Sequence, residues 1–344
     1  MRILIDLTHP VDVHFFLRPL RLWRDAGHEV LLVARDKDVL LPLLAELELA
    51  HAPLGRSGRG ALGLGVEWLT RVAALARLMW RERPDVASGF GATFVVPAAR
   101  LAGVRSVAFT DTEQARLSNA LTLPLASLTC TPRCYPVCLR GPQLRFEGYK
   151  ELAYLAPRYF TPDAAVLELA GLAAGEPFVF VRTVAWRSGH DFFDHGFTDT
   201  RAVVARLGRH ARVVLSAEGP LPADLEPLRY RGPLAAVHHL LAFARLYLGE
   251  SATMGAESAV LGTPALVVST SRRSYLDELE QRYGLARTFS HPGQGQDQAV
   301  AAAEALLADP ATGATWQGRR ARMLAEQEDV VAFVAEAVAG RPRS

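Results

Sequence analysis

The stretch RLYLGESATMGAESAVLGTPALVVS, residues 245–269, decides the fold that the sequence predicts. Two short apolar runs, 245–249 and 265–269, have the length and composition of buried strands. Between them, Met254–Leu261 has a helical pattern, Gly262 is placed to cap that helix, and a Thr-Pro pair stops it. A strand, a helix and a second strand in succession form a βαβ unit, and hence a parallel sheet.

The same alternation of strands and helices runs through the chain in two series. The first series predicts strands and helices at 2–7, His14–Ala26, 28–34, Asp36–Leu47, 85–90, Thr93–Gly103 and 104–111. The second series predicts them at 177–182, Thr198–Leu207, 212–217, Leu234–Phe243, 245–249, Met254–Leu261 and 265–269. A last helical pattern covers Thr315–Ala339. The predicted class is α/β, with two Rossmann-like, doubly wound parallel sheets.

The length of 344 residues exceeds the size at which one hydrophobic core usually stops growing, so we expect two domains. We place the N-terminal domain at 1–155, the C-terminal domain at 163–325, and a helix and tail, packing back on the N-terminal domain, at 326–344. The segment 148–162, rich in aromatic residues and proline, holds the boundary. Two such sheets are expected to face each other across a cleft, with ligands at the carboxyl ends of the strands.

The bulk composition excludes several classes of protein. The net charge of +2 is too small to argue for nucleic acid as a partner. No stretch reaches the roughly 18 apolar residues that a membrane-spanning helix needs. The first residues, MRILIDL, have a strand pattern and not the layout of a signal peptide. We therefore expect a cytoplasmic protein with reduced cysteines.

Three cysteines stand close together in CTPRCYPVC, residues 130–138. Their spacing would stack Cys130, Cys134 and Cys138 on one face of a helix, but the two prolines between them exclude that helix. Three thiolates without a fourth fit no common zinc or iron–sulfur spacing. We expect no metal here and no cofactor in the protein.

The turn that follows the strand at 245–249 has the features of an anion site. Its small residues leave backbone N–H groups exposed at the start of a helix, where the helix dipole favours negative charge. One turn further, the carboxylate of Glu257 can accept two hydrogen bonds from the vicinal hydroxyls of a ribose. Together these predict a nucleotide diphosphate; the alternative is that Glu257 only favours the helix dipole. The residues concerned are Ser251, Ala252, Thr253, Met254, Gly255 and Glu257.

Other charged residues follow strands in the same way. Arg182, with Arg187 and His190 after it, suits a diphosphate because a guanidinium offers forked donors. His9 and His14 follow the first strand, where an imidazole can act as a general base near pH 7.

Two carboxylates, Asp111 and Glu113, follow the strand at 104–111 and can share acid and base roles. For the histidines and for these acids, helix capping is the alternative.

The segment 65–84 has the pattern of an amphipathic helix. Its apolar residues include Trp68, Leu69, Leu75, Leu78, Met79 and Trp80, and its cations are Arg71, Arg77, Arg81 and Arg83. Two interpretations stay open. Such a helix can lie on an anionic membrane surface, or it can pack on its domain with the arginines directed outward.

Four stretches resemble an uncharacterised bacterial and archaeal family known as a domain of unknown function, over nearly the whole chain. They are IDLTHPVDVHFF, TDTEQARLSNALTLPLA, GYKELAYL and GESATMGAESAVLGTPAL. That family is similar to the UDP-N-acetylglucosamine 2-epimerases and to the N-acetylglucosaminyl transferase of peptidoglycan synthesis. Both resemblances imply the GT-B fold, with the nucleotide held mainly by the C-terminal domain.

The resemblance also implies roles for single residues. Ser251 and Glu257 keep the spacing of an epimerase Ser and its ribose-binding Glu, although the glycine pair after the Ser is Ala252-Thr253 here. Thr253 and Glu257 match a Thr-Glu pair of the transferase. Its Gly-rich N-terminal loop is absent, and the two early histidines take that place. The epimerase acids have approximate counterparts in Asp111 and Glu113, and only Arg182 remains of an epimerase His-Arg pair.

These observations lead us to expect a metal-independent glycosyltransferase whose donor is a nucleotide-sugar, with a UDP-sugar as the first candidate. We expect it to act in the synthesis of cell-surface polysaccharide or glycoconjugate. Its expected acceptor is linked to a polyprenyl group or a glycan, and its expected place is the cytoplasm, at the inner face of the membrane. Two alternatives stay open. One is a non-hydrolysing nucleotide-sugar 2-epimerase, and the other is a protein that binds nucleotide or glycan without turnover.

Overall fold

The computed structural model of the protein describes residues 1–37, 39–58, 60–173, 175–184 and 196–340. Arg187 and His190, which the sequence places after Arg182, lie outside these ranges. The described chain divides into two compact units. The first unit contains Met1–Tyr154 and Glu328–Ser344, and the second contains Leu155–Gln327.

The elements of the described chain are numbered in chain order. The strands are β1 (Arg2–Leu7), β2 (Glu29–Asp36), β3 (Ala52–Arg56), β4 (Val86–Phe90), β5 (Arg105–Phe109), β6 (Leu128–Pro132), β7 (Gln143–Phe146), β8 (Phe178–Thr183), β9 (Arg212–Ala217), β10 (Leu246–Gly249), β11 (Ala265–Val268) and β12 (Ala286–Phe289). The helices are α1 (Pro10–Asp25), α2 (Leu40–Glu46), α3 (Gly60–Glu82), α4 (Val95–Ala102), α5 (Arg116–Thr122), α6 (Leu152–Leu155), α7 (Val166–Leu169), α8 (Thr200–Leu207), α9 (Val237–Phe243), α10 (Ala252–Leu261), α11 (Ser274–Gln281), α12 (Gly295–Ala308), α13 (Thr312–Ala325) and α14 (Val330–Ala339).

The first unit is built on a sheet with the strand order β3-β2-β1-β4-β5-β6-β7. All neighbouring strands are parallel. Helices α3 and α4 bury their apolar side chains on one face of this sheet, in a core that includes Leu4, Val33, Leu75 and Ala87. The strand order reverses between β1 and β4, and such a reversal is where doubly wound sheets open a crevice for ligands.

The second unit is built on a sheet with the strand order β12-β11-β10-β8-β9, again entirely parallel. Its central strands are near-continuous apolar runs because helices cover both faces of a parallel sheet. Val179, Val181, Leu246 and Leu248 are buried there with side chains from α8 and α12. Here the order reverses between β8 and β10, so the predicted ligand edge of this sheet lies where these two strands end.

The C-terminal helical pattern is interrupted, and our prediction of one helix over Thr315–Ala339 is wrong. Helix α13 ends at Ala325, and Asp329 caps a new helix by accepting hydrogen bonds from the amides of Val331 and Ala332. Helix α14 packs against α1 in the first unit, where the indole of Trp23 donates to the carbonyl of Ala335. An aspartate side chain that bonds to the amides following it favours a new helix start over continuation of the preceding helix.

Helix α3 does not present all of its arginines to solvent, as one of our two interpretations required. The guanidinium of Arg71 is buried, donates to the carboxylate of Asp6 on β1, and lies 5.2 Å from the ring centroid of Phe94. A buried carboxylate without a cation would be costly, which explains why this arginine turns inward.

Across the described residues, we find no helix with the length and apolar content that crossing a bilayer demands.

Candidate functional site

The end of β10 and the end of β8 form one edge of the second sheet. Gly249 and Arg182 are paired in register, and the amide of Glu250 donates to the carbonyl of Arg182 over 3.0 Å. This is the position at which the strand order reverses. The residues that follow the two strands are therefore those that a ligand of this sheet would meet first.

The carboxylate of Glu250 organises this edge. It is 6% exposed, and it accepts hydrogen bonds from the amide of Val184 over 2.8 Å and from the amide of Phe197 over 2.6 Å. A Cβ atom on Gly196 would lie 1.9 Å from Oε1 of Glu250, so the carboxylate fits only against glycine. Glu250 stands in the stretch 245–269, but it belongs to no motif that marks it as functional from the sequence.

The turn after Glu250 is a capped helix start. The hydroxyl of Ser251 accepts from the amide of Met254 over 3.3 Å. The carbonyl of Ser251 accepts from the amide of Gly255 and from the hydroxyl of Tyr247, each over 3.0 Å. The amides of Met254 and Gly255, which we expected to line the anion site, are thus used inside the cap.

Two amides at the start of α10 have no such use. For the backbone N–H groups of Ala252 and Thr253, no acceptor lies within hydrogen-bond distance among the described residues. Both residues are partly exposed. Packing against β11 explains why residue 255 is a glycine, since a Cβ atom there would lie 2.4 Å from Cγ2 of Val267. Of the amides that the sequence predicted for an anion site, those of Ala252 and Thr253 in the first turn of α10 remain without an acceptor in the described chain.

Glu257 lies one turn into α10 and is 5% exposed. Its Oε1 is 3.1 Å from Nε2 of His238 on α9, which is also buried. His238 carries no functional signal in the sequence, because the pair joins two helices that are separate along the chain. Nearby, burial raises the pKa of Tyr247, and the carboxylates of Glu257 and Glu250 add to that effect.

Arg182 is the penultimate residue of β8, which ends at Thr183, one residue later than predicted, and its guanidinium already has partners. It donates to the hydroxyl of Ser216 over 2.7 Å and to the carboxylate of Glu218 over 2.5 Å. A diphosphate held by Arg182 would therefore compete with Glu218, whose side chain is 46% exposed.

In the first unit, His9 and its neighbours form the start of α1. Nδ1 of His9 accepts from the amide of Val11 over 3.3 Å, while Oδ2 of Asp12 accepts from the amides of Thr8 and His9. This capping box starts the helix at Pro10, four residues before the predicted start. Burial raises the pKa of Asp12 to about 7, although its hydrogen bonds oppose that shift.

The other candidate base on this helix is His14. Its ring centroid lies 5.4 Å from that of Tyr154, and the side chain is partly buried. His9, in contrast, is exposed at the carboxyl end of β1.

Asp111 follows β5 and belongs to a buried ion pair. Its Oδ2 lies 2.5 Å from Nζ of Lys150, and both side chains are about 5% exposed or less. Lys150 also lies 3.1 Å from Oε1 of Glu151 and 5.7 Å from the ring centroid of Phe90. Glu113 accepts from the side-chain amide of Gln114 over 3.0 Å. Lys150 stands in the GYKELAYL stretch but was not selected as a functional residue.

No group of three or more histidine, cysteine, aspartate and glutamate side chains is arranged to hold a metal ion in the described ranges. Cys130 lies on β6 and is buried, and that burial raises the pKa of its thiol to about 12. Cys134 and Cys138 are progressively more exposed.

The chain belongs to the family described as protein of unknown function DUF354, which matches residues 1–188. This confirms the resemblance drawn from the sequence. A relative, described as uncharacterized protein MJ0665 of Methanocaldococcus jannaschii, is 24% identical over 280 residues, which is 76% of this chain and 80% of the relative.

Solved structures show the fold. Glycosyltransferase VinC in complex with dTDP superposes with a TM-score of 0.63 at 15% identity, over 98% of each chain. MurG of Acinetobacter baumannii superposes with a TM-score of 0.59 at 14% identity, over 99% of this chain and 100% of that one. MnaA of S. aureus with UDP gives a TM-score of 0.67 at 12% identity, over 96% and 94%. The protein has the GT-B fold, as predicted, and is glycosyltransferase-like in architecture.

We predict that Glu250→Ala lowers the free energy of unfolding by about 2–4 kcal/mol, because two partly buried amides lose a charged acceptor. Chemical denaturation measures this. The matched control is Asp224→Ala, which removes an exposed pair with Arg201 and should leave the free energy of unfolding nearly unchanged. Equal losses in the two variants would contradict the role given to Glu250.

Proposed function

We propose that this protein is a metal-independent GT-B glycosyltransferase that takes its sugar from a nucleotide-sugar, with a UDP-sugar as the first candidate. The observation that carries the proposal is the first turn of α10. Two amides without acceptors among the described residues and a buried carboxylate one turn away lie where the strand order reverses. Solved neighbours of the same fold carry dTDP or UDP, which supports a nucleotide diphosphate as the ligand.

Each part of the donor has a group that suits it. The amides of Ala252 and Thr253, together with the dipole of α10, suit the diphosphate. The carboxylate of Glu257 suits the ribose diol, since each of its oxygens accepts hydrogen bonds. Arg182 adds a cation to the diphosphate if it exchanges Glu218 for the ligand. Neutralising the leaving diphosphate by amides and Arg requires no metal.

On the acceptor side, a base removes the proton of the acceptor hydroxyl as its oxygen attacks the anomeric carbon and the nucleoside diphosphate leaves. The candidates from the sequence are His9, His14, Asp111 and Glu113. The geometry favours His9, because its imidazole is exposed at the carboxyl end of β1, where the first sheet reverses its order. Asp111 is buried, and its Oδ2 is already occupied by the ammonium of Lys150.

The acceptor that we propose is linked to a polyprenyl group or a glycan, and the protein works in the cytoplasm at the inner face of the membrane. The supporting feature is a surface of apolar side chains on α3 and α5, exposed between 61% and 89%. We call it the α3–α5 surface; its residues are Leu62, Val66, Leu69, Leu117 and Leu121.

The two helices of this surface meet at Thr93. The indole of Trp68 on α3 donates to the carbonyl of Thr93, and the hydroxyl of Thr93 lies 3.0 Å from that of Ser118 on α5. Arg116 on α5 is exposed. Of the acids on α3, Glu67 is buried against Arg35 and Glu82 is at the far end, and α5 has none. Apolar side chains beside a cation suit an anionic bilayer.

The donor site is tested by isothermal titration of UDP and UDP-N-acetylglucosamine. We expect Glu257→Ala to weaken UDP binding by about tenfold or more, because the ribose loses a charged acceptor. The control is Glu304→Ala, which removes a carboxylate paired with Arg206 on the surface and should leave the affinity unchanged. An absence of heat with every nucleoside diphosphate would refute the proposal.

The base is tested by turnover. We expect His9→Ala to lower kcat by about 100-fold or more while nucleotide affinity stays within twofold. Asp111→Asn serves as the comparison, and a larger loss there would move the role of base to Asp111. Incubation of a UDP-sugar in D₂O without acceptor separates the alternatives: deuterium at C2 indicates a 2-epimerase, and binding without any turnover indicates a binding protein.

Membrane contact is tested by cosedimentation with vesicles. We expect binding to vesicles containing phosphatidylglycerol and about tenfold weaker binding in the triple variant Leu62→Ser, Leu69→Ser, Leu117→Ser, because apolar area is lost. Leu169→Ser, at an exposed leucine of the second unit, is the matched control. Equal sedimentation with phosphatidylcholine alone, or no effect of the triple change, would contradict an anionic membrane partner.

A further inference from the structure

We propose that His238 is a positioning residue that orients the carboxylate of Glu257 toward the ribose diol, and that it thereby sets the preference for ribonucleotides. The inference rests on the proposed function, since it presumes a ribose at Glu257. The juxtaposition behind it is direct: Nε2 of His238 lies 3.1 Å from Oε1 of Glu257, and both side chains are buried.

The carboxylate of Glu257 requires such a partner. Its neighbours on α10, Ala256, Ser258 and Ala259, are all fully buried, so its surroundings hold little water. A glutamate has three rotatable bonds, and ordering it costs side-chain entropy. A hydrogen bond from one directional N–H donor orders part of the side chain before a ligand arrives, so less entropy is lost on binding. A carboxylate has about four lone-pair sites, so it can accept this bond and still accept hydroxyls.

A histidine suits this role better than a lysine or an arginine. Nε2 is a single donor on a rigid ring, so it fixes the direction of one carboxylate oxygen. A lysine or arginine would bring a permanent charge and several donors, which would compete with the ribose hydroxyls for the same oxygens.

Helix α9 is anchored so that its two adjacent histidines do different work. His239 packs on Phe160 with ring centroids 4.6 Å apart, and its Nδ1 accepts from the amide of Asp163 over 2.9 Å. His238 meets the same Phe160 edge-on at 6.5 Å and directs its Nε2 to Glu257. His239 therefore holds the helix against the stretch 160–163, while His238 serves the carboxylate.

The test compares UDP with 2′,3′-dideoxyuridine diphosphate, which lacks the diol, by titration calorimetry. We expect His238→Ala to weaken UDP binding by about 5–30-fold and dideoxy-UDP binding by less than about twofold, because the histidine acts only through the diol contact. His238→Gln, which can still donate an N–H, should restore UDP affinity to within about threefold of the native protein. His239→Ala is the matched control, expected to change UDP affinity less than about twofold.

The outcomes separate the two claims. If Glu257→Ala weakens UDP binding and His238→Ala does not, the role of His238 is overturned and the proposed function stands. If His238→Ala weakens UDP and dideoxy-UDP equally, the histidine is only structural, and the inference fails. If Glu257→Ala leaves UDP binding unchanged, the proposed function itself fails. Circular dichroism of each variant checks folding, and the dideoxy comparison within one folded variant keeps the result decisive.

Discussion

The hydrogen bonds that the carboxylate of Glu250 accepts from the amides of Val184 and Phe197 hold together the edge on which the candidate site depends. Backbone amides that leave a buried sheet edge must find acceptors, and loops on their own seldom supply them. One charged acceptor satisfies two such amides at once. Glu250 directly precedes Ser251, whose hydroxyl accepts from the amide of Met254 and caps α10. The buried acid and the cap of α10 therefore stand next to each other at this edge of the sheet.

Much of this architecture is legible in the sequence, and particular elements show why. Strands β1 and β9 match their predicted ranges because their runs are apolar and bounded by clear turn signals. Strands β3, β6 and β7 did not stand out. Their sequences APLGR, LTCTP and QLRF are short and mix polar residues with proline, and pairing with a neighbouring strand, not local pattern, makes them strands. Tertiary pairing of this kind leaves little trace in a single sequence.

The sequence likewise indicates only the local part of the candidate site. The spacing of Ser251 and Glu257 located one turn of one helix, because both residues belong to a local motif. Their partners could not be located in this way. His238 comes from another helix, Lys150 reaches Asp111 across 39 residues, and Arg71 reaches Asp6 across 65. Buried ion pairs form between residues that are distant in the chain. The sequence therefore shows a charged residue that needs a partner, but it does not show which residue that partner is.

The buried carboxylates of the two units have different partners, and the partner determines which hydrogen bonds each carboxylate can still accept. In the first unit, Oδ2 of Asp111 contacts the ammonium of Lys150, and Oδ1 accepts from the hydroxyl of Thr112, so both oxygens already have donors. In the second, Glu257 faces an imidazole, which supplies one directional bond and leaves lone pairs for hydroxyls. A carboxylate held in the second way suits recognition of a diol, and one held in the first way suits a structural ion pair. Of the four candidate bases, Asp111 is buried, His14 and Glu113 are partly buried, and His9 at the carboxyl end of β1 is exposed, which is why the proposal assigns the proton transfer to His9.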